Sequence, residues 1–352
     1  MSMKRLAVIA LVVGGIAAIL VSIRRRRQPH AIVEGETART VTFTKPVLII
    51  NPGSGSGKAA KIGLAATAKG LGIETIVRAK GQKIKQLARQ AVDDGCDHLM
   101  IAGGDGSLAR VADVAIERGV AFSCVPSGTR NHFAMDLGLD RSDPSKALSA
   151  AFEGVPVQVD VGRIDKRIFL NNVSFGVYAD ALADPEYRED RTKSLLEATS
   201  ETAKASSSSF TVTDSEGTVH DDIAMLLASN NPYHFIGPPD FAGRARMDSG
   251  LLGAIMADAV GTSTGGVRPE IMRRSTPREL TVDSENKKVP VGIDGSLHKS
   301  KAPVSLRIDR GALNVILPSD VVARQLLGDS GPTTEALSFL SGLKHAGETV
   351  DG

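Results

Sequence analysis

The sequence of 352 residues contains no tryptophan, and only three tyrosines stand beside its ten phenylalanines. Stacking platforms for single-stranded nucleic acid are therefore scarce. Excess charge of one sign is also missing. Lys and Arg total 42 against 40 Asp and Glu, a net charge of +2, so no whole-chain field gathers a polyanion. No nucleic-acid partner is expected. The two cysteines, Cys96 and Cys124, fall in apolar segments and supply no disulfide framework, which fits a reducing compartment. The seven histidines are scattered without metal-ligand spacing. The length suffices for two domains with real cores.

One long apolar run is present, "LAVIALVVGGIAAILVSI" from Leu6 to Ile23, uncharged and just long enough for a membrane helix. Lys4 and Arg5 resemble the start of a signal peptide. The run is longer than a usual signal core, however, and ends in Arg24 to Arg27 rather than in a small-residue cleavage site. Four arginines outweigh two basic residues. The expectation is a single-pass anchor over residues 1–27 in the cell membrane, with the rest of the chain cytoplasmic. The arginines also suit anionic headgroups. Residues 28–44 read as a polar linker.

From Lys45 the pattern alternates between strand and helix. "VLIIN", "ETIVRA", "HLMIA" and "AFSCV" read as strands. Between them, "KAAKIGLAATAKGLG", "KIKQLARQAVDDG" and "LARVADVAIERG" read as helices, the second with Ile84, Leu87, Ala88, Ala91 and Val92 at helical spacing. Buried strands alternating with helices predict a parallel sheet covered on both faces. Beyond about Val161 the character changes to short β-type runs with turns: "FLNNVSFGVYAD", "SFTVTDSEGTV", "IAMLLASNN", "LLGAIMADAV", "ELTVDSENKKVPVGID" and "VSLRID". The fold class expected is α/β, with an antiparallel β-sandwich as second domain. A helical piece, "YREDRTKSLLEATSETAKA", interrupts the sandwich, and "ALNVILP" returns to the first domain.

Chemistry concentrates in three loops. "NPGSGSGK" follows the first strand. Gly53 and Gly57 enclose only three residues, and Lys58 precedes Ala59, so this is not the common P-loop with its magnesium hydroxyl. Small residues before a helix still suit an anion. "GGDGS" follows the third strand: its glycines let phosphates approach the backbone, and the carboxylate of Asp105 suits Mg²⁺. The alternative role for Asp105 is to cap a helix. "VPSGTRNHFAMDLGL" follows the fourth strand and offers Ser127, Thr129 and Asn131 as polar contacts. In an open α/β sheet all three lie at the carboxyl ends of strands, where ligands bind.

Taken in order, "NPGSGSGK", "GGDGSL" and "PSGTRNHFAMDLGL" resemble the diacylglycerol kinase catalytic-domain family of bacterial lipid kinases. Sphingosine kinases share this domain, and NAD kinases share its core more distantly. The resemblance extends to about residue 318. It implies an ATP-binding α/β domain (45–163), a β-sandwich lipid domain (164–310) and a cleft between them; 311–325 read as a return segment to the first domain and 326–352 as a tail. It also implies phosphoryl transfer from Mg-ATP to a diacylglycerol-like lipid hydroxyl, hence a role in phospholipid metabolism.

By the same resemblance Asn51, Pro52, Gly53, Ser54 and Gly55 contact the nucleotide. So do Gly103, Gly104, Asp105 and Gly106, then Ser107, Leu108 and Ala109, with Thr129 and Asn131 from the third loop. Asp105 serves Mg²⁺. Four positions that are usually acidic in this family differ here: Arg110, His132, Ser249 and Ser296. Asp248 precedes Ser249 and becomes the second metal candidate. Ser296 replaces the family's general base, which leaves Asp294, two residues earlier, as the expected proton acceptor. Expected partners are a bilayer lipid and the membrane, and a homodimer is left open. The alternatives are a non-catalytic nucleotide- or lipid-binding relative and, further off, an NAD kinase.

Overall fold

The structure, a computed structural model, describes residues 40–176, 179, 209–235, 241–244, 246–261 and 267–322. The expected membrane anchor (1–27), the helical piece from Tyr187 and the tail from 326 lie outside the described residues. Among the described residues, no helix is long and apolar enough to cross a membrane. The chain divides into two compact units. As far as they are described, one holds residues up to 160, 246–248 and 310 onward, and the other holds 161–244 and 249–309.

In the first unit, β1 (Pro46–Ile50), β2 (Glu74–Val77), β3 (His98–Gly103) and β4 (Ala121–Pro126) are parallel, with β1 between β2 and β3, and β4 beside β3. Every residue of β1, β3 and β4 is buried, as strands covered on both faces require. β2 lies at one edge and is half exposed. At the other edge Val315, in the last strand (Val304–Pro318), pairs in parallel with Phe122, so "ALNVILP" does close this sheet.

The helices named here are, in chain order, α1 (Lys58–Lys61), α2 (Leu64–Gly70), α3 (Ile84–Asp93), α4 (Asp105–Arg118) and α5 (His132–Asp136). The sequence suggested one helix where α1 and α2 stand. Gly63 takes a left-handed φ of 64° and breaks it. α4 ends on Gly119, also left-handed, with its N–H reaching back to the last turn. Burial pushes the Cys96 thiol up to about 11 and that of Cys124 further still, so both cysteines are unreactive core residues.

The end of the expected linker is fastened rather than free. The Asp97 carboxylate accepts from the Thr44 N–H and hydroxyl, each at 2.7 Å, and from the Lys45 N–H at 3.0 Å. Val41 N donates to Gly154 O at 2.8 Å, at the start of β5 (Gly154–Ile164).

The second unit is antiparallel. After β5 come β6 (Arg167–Phe169), β7 (Asn172–Gly176), β8 (Phe210–Asp214) and β9 (Val219–Asn230), then β10 (Tyr233–Phe235) and β11 (Phe241–Arg244). β12 (Leu252–Gly261), β13 (Val267–Ser275), β14 (Glu279–Asp283), β15 (Lys288–Ile293), β16 (Ser296–Lys301) and β17 (Val304–Pro318) complete the order. The twelve-residue β9 is the hub: its first half pairs with β8, and its second half with β7 and β12. Through it, β16–β15–β7 and β8–β14–β17 join one hydrogen-bonded network, so two separate facing sheets are not distinguished. The network closes on one apolar core that includes Phe169, Phe175, Phe210, Leu226, Met256 and Leu306.

Candidate nucleotide site

The three loops of the first unit do meet. Gly103, Gly104 and Gly128 come together so closely that a Cβ on Gly128 would lie 2.3 Å from the Gly104 Cα. The Ser127 N–H donates to Gly103 O at 3.3 Å. From the first loop, Gly55 rests on this junction: a Cβ there would stand 2.3 Å from Ser127 O. Gly55, Ser56 and Gly57 have φ of 56°, 54° and 79°. Three left-handed residues in a row turn backbone N–H groups into the concavity that anions use. Gly53 is open, with nothing among the described residues within 4 Å of the position a Cβ would take.

Side chains lock the loops in place. Asn51 donates through Nδ2 to Ser107 Oγ at 2.9 Å, and its Oδ1 accepts from Arg78 Nε at 3.1 Å. Arg78 stands just beyond β2, and its NH1 donates to Gln82 O at 3.3 Å. Sequence reasoning passed over this arginine, because its partner is 27 residues away; the only cue was a cation directly after a strand. Asn131, with φ 53°, folds back on Gly128, accepting its N–H at 3.2 Å and donating to its O at 2.7 Å. Ser127 Oγ is fully buried and has no partner among the described residues, an orphaned donor beside the glycine junction.

Asp105 does cap a helix, but not its own. Its two oxygens accept from His132 N at 3.2 Å and Phe133 N at 3.3 Å, at the start of α5. Of the other expected residues, Ser107 and Leu108 are buried and Leu108 belongs to the core. Pro52, Ser54, Gly106 and Ala109 are half-buried, and Thr129 is exposed. Arg110, at one of the usually acidic positions, reaches back to Gly106 O at 2.7 Å. Lys58 turns its ammonium to the carbonyl of Arg141.

The residues present fit a phosphate chain: glycine backbone, a left-handed N–H concavity, an unsatisfied serine hydroxyl and a guanidinium. They do not form a metal cage. Among the described residues, no three His, Cys, Asp or Glu could hold an ion together. Asp248 is paired with Arg246, Oδ1 to Nε at 2.9 Å and Oδ2 to NH2 at 3.0 Å. A Mg²⁺ carried by phosphates needs only one or two carboxylates from the protein, and Asp105 can be one.

Asp294, in the second unit, corrects an expectation. It does not continue the β-type run in which the sequence placed it. Ile293 pairs with Ser296, and Asp294 and Gly295, with φ 46° and 75°, form the two-residue turn between them. Positive φ at both positions is what an Asp-Gly hairpin turn demands. The carboxylate accepts from Leu170 N at 3.0 Å, Asn171 N at 2.8 Å and Asn172 N at 3.2 Å. It anchors the bend before β7, and Ser296 is exposed beside it.

Comparison with known proteins agrees with the loops. The diacylglycerol kinase catalytic domain matches residues 45–164. A diacylglycerol kinase of Mycobacterium tuberculosis (strain ATCC 25618 / H37Rv) is 31% identical over 124 residues, which are 34% of this chain and 40% of that protein. A probable lipid kinase YegS-like of Klebsiella pneumoniae (strain 342) is 31% identical over 141 residues, 38% of this chain and 46% of that protein. The chain thus aligns with less than half the length of these curated relatives. A putative diacylglycerol kinase from Bacillus anthracis str. Sterne has the same fold, with a TM-score of 0.59 at 19% identity, over 80% of this chain and all of that one. Residues 45–164 of this chain are thus similar to the diacylglycerol kinase catalytic domain.

Proposed function

We propose that this chain is a lipid kinase that transfers a phosphoryl group from Mg-ATP to a diacylglycerol-like hydroxyl. One observation carries the reading: three loops from the carboxyl ends of β1, β3 and β4 converge on the Gly104–Gly128 junction. In a parallel sheet that is where ligands bind. Phosphoryl transfer depends mostly on positioning and charge neutralisation. The Gly53–Gly57 and Gly103–Gly106 backbones would hold the phosphates, Arg78 would supply positive charge, and Ser127 Oγ would donate a hydrogen bond. Asp105 would hold Mg²⁺, which when bound neutralises charge building on the transferred group. We further propose the Leu6–Ile23 run as a single-pass anchor, with the kinase units in the cytoplasm beside a bilayer substrate.

A second reading is a non-catalytic nucleotide-binding relative. It is favoured by Asp294, whose oxygens are engaged by three backbone N–H groups, and by Ser296 in place of the family's base. Incubating the full chain with γ-labelled ATP, Mg²⁺ and total membrane lipid, then separating the lipids, decides between them. A labelled lipid supports the kinase. Tight Mg-ATP binding with no labelled lipid supports the second reading.

A further inference from the structure

The β15–β16 hairpin of the second unit has two unlike faces. In its register Val289 faces Ser300, Val291 faces His298 and Ile293 faces Ser296; the three apolar residues sit in the core. Residues alternate between faces along a strand, so Lys288, Lys299 and Lys301 lie on the face turned away from that core. Lys288 stands directly opposite Lys301, and Lys299 opposite Pro290. Lys287 immediately precedes the pair. All four lysines are exposed, and none stands in an ion pair among the described residues.

Like charges directly opposite across a strand pair destabilise it. Lysines on an edge strand are a common guard against unwanted pairing, and that accounts for Lys299 and Lys301 on β16. It does not account for a cation facing Lys301 from the partner strand, where an acid would relieve the repulsion and protect the edge as well. An anionic surface offsets the repulsion that the hairpin leaves unanswered. A flat lipid surface suits a flat strand face, and the scarcity of aromatic residues speaks against single-stranded nucleic acid.

We infer that Lys287, Lys288, Lys299 and Lys301 form a docking face for an anionic bilayer surface. The choice of a lipid surface rests on the reading of the chain as a lipid kinase. The test reads accessibility rather than turnover, so either can fail alone. Full-length protein is reconstituted into vesicles of phosphatidylcholine, with or without phosphatidylglycerol, and pulsed with acetic anhydride. Acetylation is read at each lysine by mass spectrometry. Labelling of Lys288, Lys299 and Lys301 should slow about five-fold with phosphatidylglycerol, as about 1 kcal/mol per lysine implies. It should recover at about 0.5 M salt, where screening shortens to about 4 Å. Equal labelling on both vesicle types overturns the docking face. So does protection by duplex DNA without any response to phosphatidylglycerol, which would make the face a nucleic-acid contact.

Discussion

The Asp105 carboxylate accepts the backbone N–H of His132 at 3.2 Å, 27 residues further along the chain. With the Phe133 N–H on its other oxygen, it fastens the third loop to the second. One side chain thus sets the spacing of two of the three loops, and in the proposed function it would also meet Mg²⁺. Asp105→Asn keeps the shape but leaves a single accepting oxygen. Loss of about 1 kcal/mol of stability is expected, as for other helix caps. Mg-ATP affinity should fall at least about ten-fold, the effect of about 1.4 kcal/mol. Thermal unfolding and titration calorimetry measure the two separately; unchanged affinity in a folded variant would move the metal elsewhere.

Gly128→Ala and Gly104→Ala should behave differently. A Cβ on Gly128 meets the Gly104 Cα at 2.3 Å, backbone against backbone, whereas one on Gly104 meets the Gly128 Cα at 3.5 Å, an ordinary contact. Overpacking of the first kind costs about 1–3 kcal/mol, so Gly128→Ala should lose stability and ATP binding together. Gly104→Ala should unfold almost like the parent and lose only nucleotide affinity, because its methyl occupies the approach of the phosphates. Full ATP affinity in Gly104→Ala would place the phosphates away from this junction.

Asp294→Asn tests a carboxylate that holds three N–H groups of the 170–172 bend. As an anchor, it should cost about 1–3 kcal/mol of stability when weakened, with turnover per folded molecule little changed. A fall in turnover of the ~10²–10⁴-fold that base catalysis supplies, with stability intact, would return Asp294 to the acceptor role. Ser296→Glu restores the family's usual residue at an exposed position and should raise turnover.

His98 gives a pH dependence. Burial pushes its pKa from 6.5 down to about 3. Ser123 Oγ donates to Ile316 O at 2.6 Å, so His98 Nε2, 2.8 Å from that hydroxyl, is the donor, and burial keeps the ring neutral. In the unfolded chain the ring takes a proton below about pH 6.5. In the folded chain it does not until near pH 3. Between those values the unfolded state binds more protons, and stability falls with falling pH by up to about 1.4 kcal/mol per unit. His98→Gln keeps a donor for Ser123 and removes the titration, so its denaturant midpoints should change less between about pH 6 and pH 4. Equal slopes in the two proteins would show that His98 is not the titrating group.

What was legible from the chain alone followed from short-range pattern. The continuous apolar runs became β1, β3 and β4, and helical spacing at Ile84–Val92 became α3. Gly63 would have revealed the break between α1 and α2, and the Asp294–Gly295 dipeptide was a hairpin signal read as strand. The ties that shape the site were hidden because they join residues far apart. Asn51 to Arg78, Asn51 to Ser107 and Asp105 to His132 span 27, 56 and 27 residues, and no local periodicity encodes them.

The last strand has a consequence for how the protein is made. Val304–Pro318 belongs to the second unit through Asp309 and to the first from Arg310, where Val315 pairs with Phe122. Ser123 finds its acceptor, Ile316 O, 193 residues later. On the ribosome, the first unit therefore starts before the second and is completed after it. Until Val304–Pro318 emerges, β4 carries a bare edge and the His98–Ser123 pair lacks its final acceptor. A shortened messenger that ends before this strand would yield the three loops on an unfinished sheet, so the geometry of the site waits for residues 304–318.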